Sequence, residues 1–175
     1  MSSSARILRL SLCLRRIARG TLAIGVLAGL GACGFQLRGQ VDLPPQLART
    51  YISTDDRQSL FFRKLQRSLR SNGSEVVDSP VDATAVLYIQ DDDTGQRVLS
   101  VSARNVPREY EVFYRVQFSV EAGTQTLIPV QEQTLVRDYT YDETQVLAKA
   151  REEEQLREAI ADDLVRVVLF QLAAL

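Results

Sequence analysis

Histidine is absent from this chain of 175 residues, and cysteine occurs only at Cys13 and Cys33. Without histidine, Ser-His-Asp and Cys-His catalysis, histidine general bases and zinc sites with a histidine ligand are excluded. No second thiol follows Cys33, so no disulfide can form within the chain beyond it. The remaining reactive groups are carboxylates, tyrosines and two lysines. From this supply we expect no catalytic residue, no metal site and no cofactor.

Positive charge is scarce in most of the chain. Five arginines and no acidic residue precede Cys33, which leaves 16 basic against 22 acidic residues from Cys33 onward. A nucleic-acid partner requires a positive surface of some size, so the sequence predicts no nucleic-acid binding. The apolar share of 45% and the charged share of 25% are typical of a globular domain.

Long apolar runs are lacking as well. The run TLAIGVLAGL at 21–30 would rise only about 15–18 Å as a helix, short of the ~30 Å hydrocarbon core of a bilayer. It follows a basic stretch and precedes two small residues, which is the order found in secretory signal peptides. Residues 1–32 are therefore predicted to be a signal peptide.

The join between this leader and the rest of the chain contains the second cysteine. The sequence Leu30-Gly31-Ala32-Cys33 resembles the bacterial lipobox, in which the cysteine sulfur receives a diacylglycerol and the leader is cut just before it. Cys33 is thus the predicted lipidation site, and two or three fatty chains anchor a protein stably. The glycine at position 34 resembles an outer-membrane address. Two alternatives stay open: an ordinary cleaved signal with an incidental cysteine, and an uncleaved anchor.

The chain after the leader has the size of one domain. Residues 33–48 are predicted to be a lipidated N-terminus and an extended linker, since Pro44-Pro45 excludes a helix. Residues 49–175 show the order strand, helix, a run of antiparallel strands, helix. This order predicts a two-layer α+β domain with a four-stranded, mainly antiparallel sheet and two helices packed on one face.

Periodicity sets the predicted elements within this domain. The clearest strand is 109–121, because every second residue is apolar or aromatic. A helix is predicted over 57–72, with Asp55 and Asp56 as N-caps, and a second helix over 146–172. The stretch from Asp91 to Gly95 is predicted to be a solvated bulge or turn between two strands. The other predicted strands are 49–54, 84–90, 97–104 and 131–141, and 74–78 is a candidate for an additional short strand.

Four stretches of this chain resemble one known family. CGFQLRG, RNVPREYEV, RDYTYD and VLAKAREEEQL are similar, in order and spacing, to the LptE family of lipopolysaccharide-assembly lipoproteins of Gram-negative bacteria. The resemblance covers the whole chain after the leader and implies two helices on a four-stranded sheet, in agreement with the periodicity. It also implies a position in the lumen of the β-barrel LptD. There, family members help the barrel to assemble, plug it and contact lipopolysaccharide during export.

The resemblance further implies two lipopolysaccharide-binding residues, Arg104 in ARNVPREY and Lys149 in VLAK. Arginine binds phosphates and carboxylates in bidentate fashion, and lysine binds them as a point charge. Arg108 lies in the same turn as Arg104, although the resemblance does not extend to it. From the residues alone, Arg104 is equally a solvated turn residue, and Lys149 a surface partner of Glu152 or Glu153.

The sequence therefore predicts a non-enzymatic lipoprotein, lipid-anchored at the periplasmic face of the outer membrane. Its expected partners are LptD, in a one-to-one complex, lipopolysaccharide and outer-membrane lipid. Two alternatives stay open. One is a carboxylate-dependent envelope glycan hydrolase, which requires two carboxyl groups converging in a cleft, one with a raised pKa. The other is a lipoprotein of a different outer-membrane barrel machine.

Overall fold

A computed structural model describes residues 41–175 of the chain. The predicted signal peptide, Cys33 and the first half of the predicted linker lie outside the described residues. In chain order the elements are β1 Arg49–Ser53, α1 Leu60–Ser71, β2 Glu75–Val77, β3 Ala85–Val101, β4 Pro107–Ala122, β5 Gln125–Thr140 and α2 Val146–Ala173. Short 3-10 turns precede β1, β3 and α2. The predicted α+β class with two helices is confirmed.

The predicted sheet is wrong in its strand number and in the pairing of its first strands. Residues 41–175 contain a five-stranded mixed sheet in the order β2-β1-β3-β4-β5. β1 is parallel to both β2 and β3, whereas β3, β4 and β5 form an antiparallel meander. The reason is that α1 returns the chain across the sheet, so the strands on either side of it run in the same direction. β2 lies within the candidate short strand 74–78, which the predicted four-stranded sheet did not include, because three residues are too few to establish a periodicity.

Of the bulge or turn predicted for the acidic stretch from Asp91 to Gly95, the turn is wrong, whereas a bulge is present at its start. β3 continues through it as one strand, with a bulge between Ile89 and Asp91. Arg115 on β4 makes this possible, because its guanidinium pairs with Asp91 at 3.0 Å and with Asp93 at 3.2 Å. Three consecutive carboxylates are thereby tolerated within a strand.

The core lies between the sheet and the two helices. The alternation predicted for β4 is confirmed for five residues: Val112, Tyr114, Val116, Phe118 and Val120 are all buried. Both helices bury their apolar sides in the same core, α1 through Phe61, Leu65 and Leu69, and α2 from Ile160 to Leu172. The N-cap of α1 is Ser59, whose hydroxyl accepts from the backbone N–H of Phe62, and not the predicted Asp55 or Asp56. No helix within residues 41–175 combines the length and apolar character needed to cross a membrane.

Candidate functional site

The hairpin turn between β3 and β4 has a fixed conformation and contains Arg104. Asn105 adopts a left-handed backbone conformation with φ of 59°, which asparagine tolerates better than most residues. The backbone N–H of Asn105 donates to the carbonyl of Ser102 at 2.9 Å, and that of Ser102 donates to the carbonyl of Val106 at 2.8 Å. Arg104 is exposed in this turn, as the family resemblance implies. The strand predicted over 97–104 is too long at its end, because β3 ends at Val101.

An open cleft of about 520 Å³ lies beside this turn. One wall comes from the hairpin and the other from the chain that leaves β5. The backbone N–H of Tyr141 donates to the carbonyl of Arg108 at 2.7 Å, which joins the two walls. The cleft is lined by Ser102, Ala103, Arg104, Val106, Pro107, Arg108, Thr140, Tyr141 and Asp142.

A stack of tyrosines supports the wall on the β5 side. The ring of Tyr110 lies edge-on to Tyr141, with centroids 5.3 Å apart, and parallel to Tyr139 at 5.7 Å. Tyr139 is buried, and its hydroxyl donates to Oε1 of Gln96 at 2.9 Å. Burial raises the pKa of Tyr139, and the nearby charge of Glu153 adds to the effect.

The cleft contains charges of both signs. Neither the guanidinium of Arg104 nor that of Arg108 pairs with a carboxylate within residues 41–175. Hydrogen bonds from the hydroxyl and backbone N–H of Thr144 lower the pKa of Asp142, and the charge of Lys149 contributes. Asp142 therefore stays ionised at neutral pH. The site can hold an anion beside the arginines and a hydroxyl donor beside the carboxylate.

Lys149 lies close to this cleft but does not line it. Its ammonium pairs with Oε2 of Glu152 at 2.8 Å, and the lysine side chain is only 18% exposed. This is one of the two pairings expected from the sequence; the other candidate, Glu153, pairs with Arg157 instead. The structure thus brings Arg104 and Lys149 to the same end of the fold. Asp142 lines the cleft together with Arg104, and its pKa is lowered in part by the charge of Lys149.

The sequence predicted Arg104 as a binding residue and Arg108 as a residue of the same turn. It did not predict that Tyr141 and Asp142 line the same cleft. The signal was present in the motif RDYTYD, whose last two residues are Tyr141 and Asp142. The motif became informative only when the pairing of β4 with β5 placed it opposite the arginines.

The carboxyl groups of the cleft do not match the requirements of the glycan hydrolase. Asp142 is the cleft's one acidic residue, and its pKa is lowered. Among residues 41–175, Asp92 is the carboxyl whose pKa is raised, through burial. Asp92 lies instead near the start of α1, where its Oδ1 accepts from the Tyr114 hydroxyl. A converging pair of carboxyl groups is therefore not formed in this cleft.

Comparison with known proteins decides the family. The model of the LptE family, described as lipopolysaccharide assembly, matches residues 47–172. The chain belongs to the LptE family. The LPS-assembly lipoprotein LptE of Yersinia enterocolitica is 30% identical over 165 residues, covering 91% of this chain and 78% of the relative. The LptE of Yersinia pestis is 29% identical over 164 residues, with the same coverage of both chains.

Solved structures of lipoproteins share the LptE-family fold. The solution structure of an uncharacterised lipoprotein B from Nitrosomonas europaea has a TM-score of 0.68 and 33% identity, covering 81% of this chain and 91% of the other. The crystal structure of rare lipoprotein B from Shewanella oneidensis has a TM-score of 0.63 and 27% identity, covering 72% and 94%. Family and fold therefore place this protein among the lipopolysaccharide-assembly lipoproteins.

Proposed function

We propose that this LptE-family protein assembles with the barrel LptD, plugs its lumen and binds lipopolysaccharide during transport to the outer leaflet. Residues 1–32 are its signal peptide, and Cys33 is the acylated residue that anchors it at the periplasmic face of the outer membrane. Residues 33–48 link the anchor to the single domain of residues 49–175, and the end of this linker is already packed on the domain through the buried Leu47. The protein performs no chemistry of its own.

The observation that carries this proposal is the cleft at the β3–β4 end of the sheet. Arg104 and Arg108 present guanidinium groups there that pair with no carboxylate among residues 41–175, whereas Arg97, Arg115 and Arg137 of the β3–β5 meander are paired with carboxylates. Lipopolysaccharide carries phosphates and carboxylates, which guanidinium groups bind with two parallel hydrogen bonds. Arg104 therefore contributes directly to binding. Lys149, which is already paired with Glu152, contributes less.

The lipopolysaccharide part of the proposal is tested with the mature acylated protein, which begins at Cys33, in detergent. Replacing Arg104 by glutamate removes a charge-assisted interaction of about 1.5–3 kcal/mol, so lipopolysaccharide affinity should fall about 10- to 100-fold. Replacing Lys149 by glutamate should reduce affinity less, by below about fivefold, because the Lys149 ammonium is already paired with Glu152 and does not line the cleft. Arg63→Glu on α1 is the charge-matched control and should bind like the wild type. Unchanged binding by R104E would remove Arg104 from the site.

The barrel and anchor parts are tested separately. Affinity capture of the acylated protein from detergent-solubilised outer membrane should recover LptD in equal amount. Recovery of a different barrel would support the alternative machine, and a monomer that cleaves murein would support the hydrolase. Mass spectrometry of the purified protein should locate fatty chains on Cys33. An unmodified Cys33 would contradict the anchor.

A further inference from the structure

We infer that α1 is a docking surface for the anionic lipid headgroups of the membrane that holds the anchor. The contacts come from Arg63, Arg67 and Arg70, whose guanidinium groups bind lipid phosphates. This inference rests on one part of the proposed function, the acylation of Cys33, and is independent of the ligand bound in the cleft.

The three arginines form one exposed stripe along α1, which we call the arginine stripe. At 3.6 residues per turn they fall within an arc of about 60°, on the side of the helix that faces away from its buried apolar residues. Arg63, Arg67 and Arg70 pair with no carboxylate among residues 41–175, whereas Lys64 on the same helix pairs with Asp162 of α2. The stripe therefore presents three positive charges to the outside of the domain.

The stability of α1 does not account for this arrangement. Arg63 and Arg67 are four residues apart, and Arg67 and Arg70 are three apart, spacings at which like charges destabilise a helix. Arg63 also lies in the first turn, where the helix dipole disfavours a cation, and α1 contains no acidic residue to compensate. From Cys33 onward, acidic residues outnumber basic ones by 22 to 16. A row of cations that costs helix stability in an acidic chain points to an anionic partner.

The linker from Cys33 enters the domain at the end of this helix. The backbone N–H of Val41 donates to Oδ1 of Asn72, the C-cap of α1, at 2.6 Å. Nδ2 of Asn72 donates in turn to the carbonyl of Ser68 at 2.7 Å, so the entry point is fixed to the last turn of the helix. Val41 is eight residues beyond Cys33, and a fully extended chain of this length spans at most about 26–29 Å. The anchoring membrane therefore lies within about 30 Å of the helix end that contains Arg70.

This short linker favours lipid headgroups as the partner. It holds the arginine stripe close to many lipid phosphates at once, and each arginine near an anionic surface favours the docked state about fivefold. Three arginines together favour it about 100-fold. Docking leaves the cleft uncovered, because β1 pairs with the first residues of β3, which places the linker and the cleft at opposite ends of β3, roughly 50 Å apart.

The experiment places the mature acylated protein in vesicles of phosphatidylcholine, with or without an equal amount of phosphatidylglycerol. Cys33 is the single cysteine of the mature chain and is blocked by its diacylglycerol, so the thiol introduced by Ser71→Cys takes up the only fluorophore. Energy transfer from this fluorophore to headgroup-labelled lipid reports how close α1 lies to the bilayer. Transfer should be high on vesicles that contain phosphatidylglycerol and low on neutral ones, and 0.5 M salt should abolish the difference.

Two pairs of substitutions locate the effect on α1. Arg67→Gln together with Arg70→Gln should lower the ratio of docked to undocked protein about 25-fold on the anionic vesicles. Arg104→Gln together with Arg108→Gln removes the same charge from two exposed arginines at the other end of the sheet and should leave the transfer unchanged. Far-ultraviolet circular dichroism of each variant establishes that the protein is folded.

The outcomes separate this inference from the proposed function. Equal transfer on neutral and anionic vesicles, or an Arg67 and Arg70 variant that matches the wild type, would refute the docking surface and leave the anchor and lipopolysaccharide binding intact. Unchanged transfer with a lower recovery of LptD would mean that the stripe faces an acidic protein wall, which also refutes lipid docking. An unmodified Cys33 in mass spectrometry would overturn both the anchor and this inference. In detergent no continuous anionic surface exists, so Arg63→Glu remains a control for lipopolysaccharide binding.

Discussion

The hydroxyl group of Tyr114 links three elements of the fold, and its removal gives the most direct test of the packing described above. The Tyr114 side chain is 1% exposed. Its hydroxyl donates to Oδ1 of Asp92 on β3 at 2.8 Å and accepts from the backbone N–H of Phe61 in the first turn of α1 at 3.1 Å. That N–H has no acceptor within the helix, as for every first-turn amide. Tyr114→Phe keeps the ring and removes both hydrogen bonds.

The magnitude follows from the groups left behind. The Phe61 N–H loses its acceptor in the core, and Oδ1 of Asp92 loses the hydrogen bond that the Tyr114 hydroxyl donates. Each unsatisfied buried group costs about 1–3 kcal/mol, so we expect the free energy of unfolding to fall by about 3 kcal/mol. For a domain of about 135 residues this corresponds to a Tm lower by roughly 10 °C.

Urea and thermal unfolding followed by far-ultraviolet circular dichroism measure this change, since the chain contains no tryptophan to report by fluorescence. Tyr88→Phe is the matched control. Tyr88 is a half-buried tyrosine on β3 whose hydroxyl makes no hydrogen bond within residues 41–175, so this variant should unfold within about 0.5 kcal/mol of the wild type. A Tyr114→Phe protein as stable as the Tyr88→Phe protein would refute the linking role of the hydroxyl.

Three further predictions concern stability. Burial raises the pKa of Asp92, so the native state holds this proton more tightly than the unfolded state does. The free energy of unfolding should therefore fall as the pH rises from the ordinary pKa of 3.8 through the raised pKa. In urea titrations at several pH values, Asp92→Asn should weaken this pH dependence and be at least as stable as the wild type at pH 7. At Asn105, whose φ is 59°, glycine should change the unfolding free energy by less than about 0.5 kcal/mol and valine should lower it by about 1–2 kcal/mol. Arg115→Gln leaves Asp91 and Asp93 unpaired and should lower the free energy of unfolding by about 1 kcal/mol at low ionic strength. The loss should be smaller in 0.5 M salt, because salt screens the repulsion between the carboxylates. An equal loss at both salt concentrations would argue against ion pairing.

Much of the fold was predictable because its long elements have strong periodicity. In β4, alternate residues face the core, and α2 begins at the predicted residue 146 and ends at Ala173, one residue beyond the prediction. The errors occurred where the deciding interaction is distant in sequence. β2 exists because it pairs with β1, and the strand through Asp91–Asp93 depends on Arg115, more than twenty residues away. No local pattern contains that information.

The candidate site shows the same division. The turn that presents Arg104 could be predicted from its position between two strands, and the expected pair between Lys149 and Glu152 is present. The cleft could not be predicted, because it forms only where the end of β5 meets the start of β4 and brings Tyr141 opposite Arg108. Its members come from segments more than thirty residues apart.

The position of the cleft also determines how its residues can be studied. The buried part of β4 begins at Glu111, and the buried part of α2 begins at Ile160. Arg104 and Arg108 lie beyond this packed region with exposed side chains, so their replacement removes little apolar contact and should cost less than about 0.5 kcal/mol of stability. Binding energy and folding energy are therefore carried by different parts of the sheet. A loss of ligand affinity in an arginine variant that retains wild-type unfolding can accordingly be attributed to the site itself.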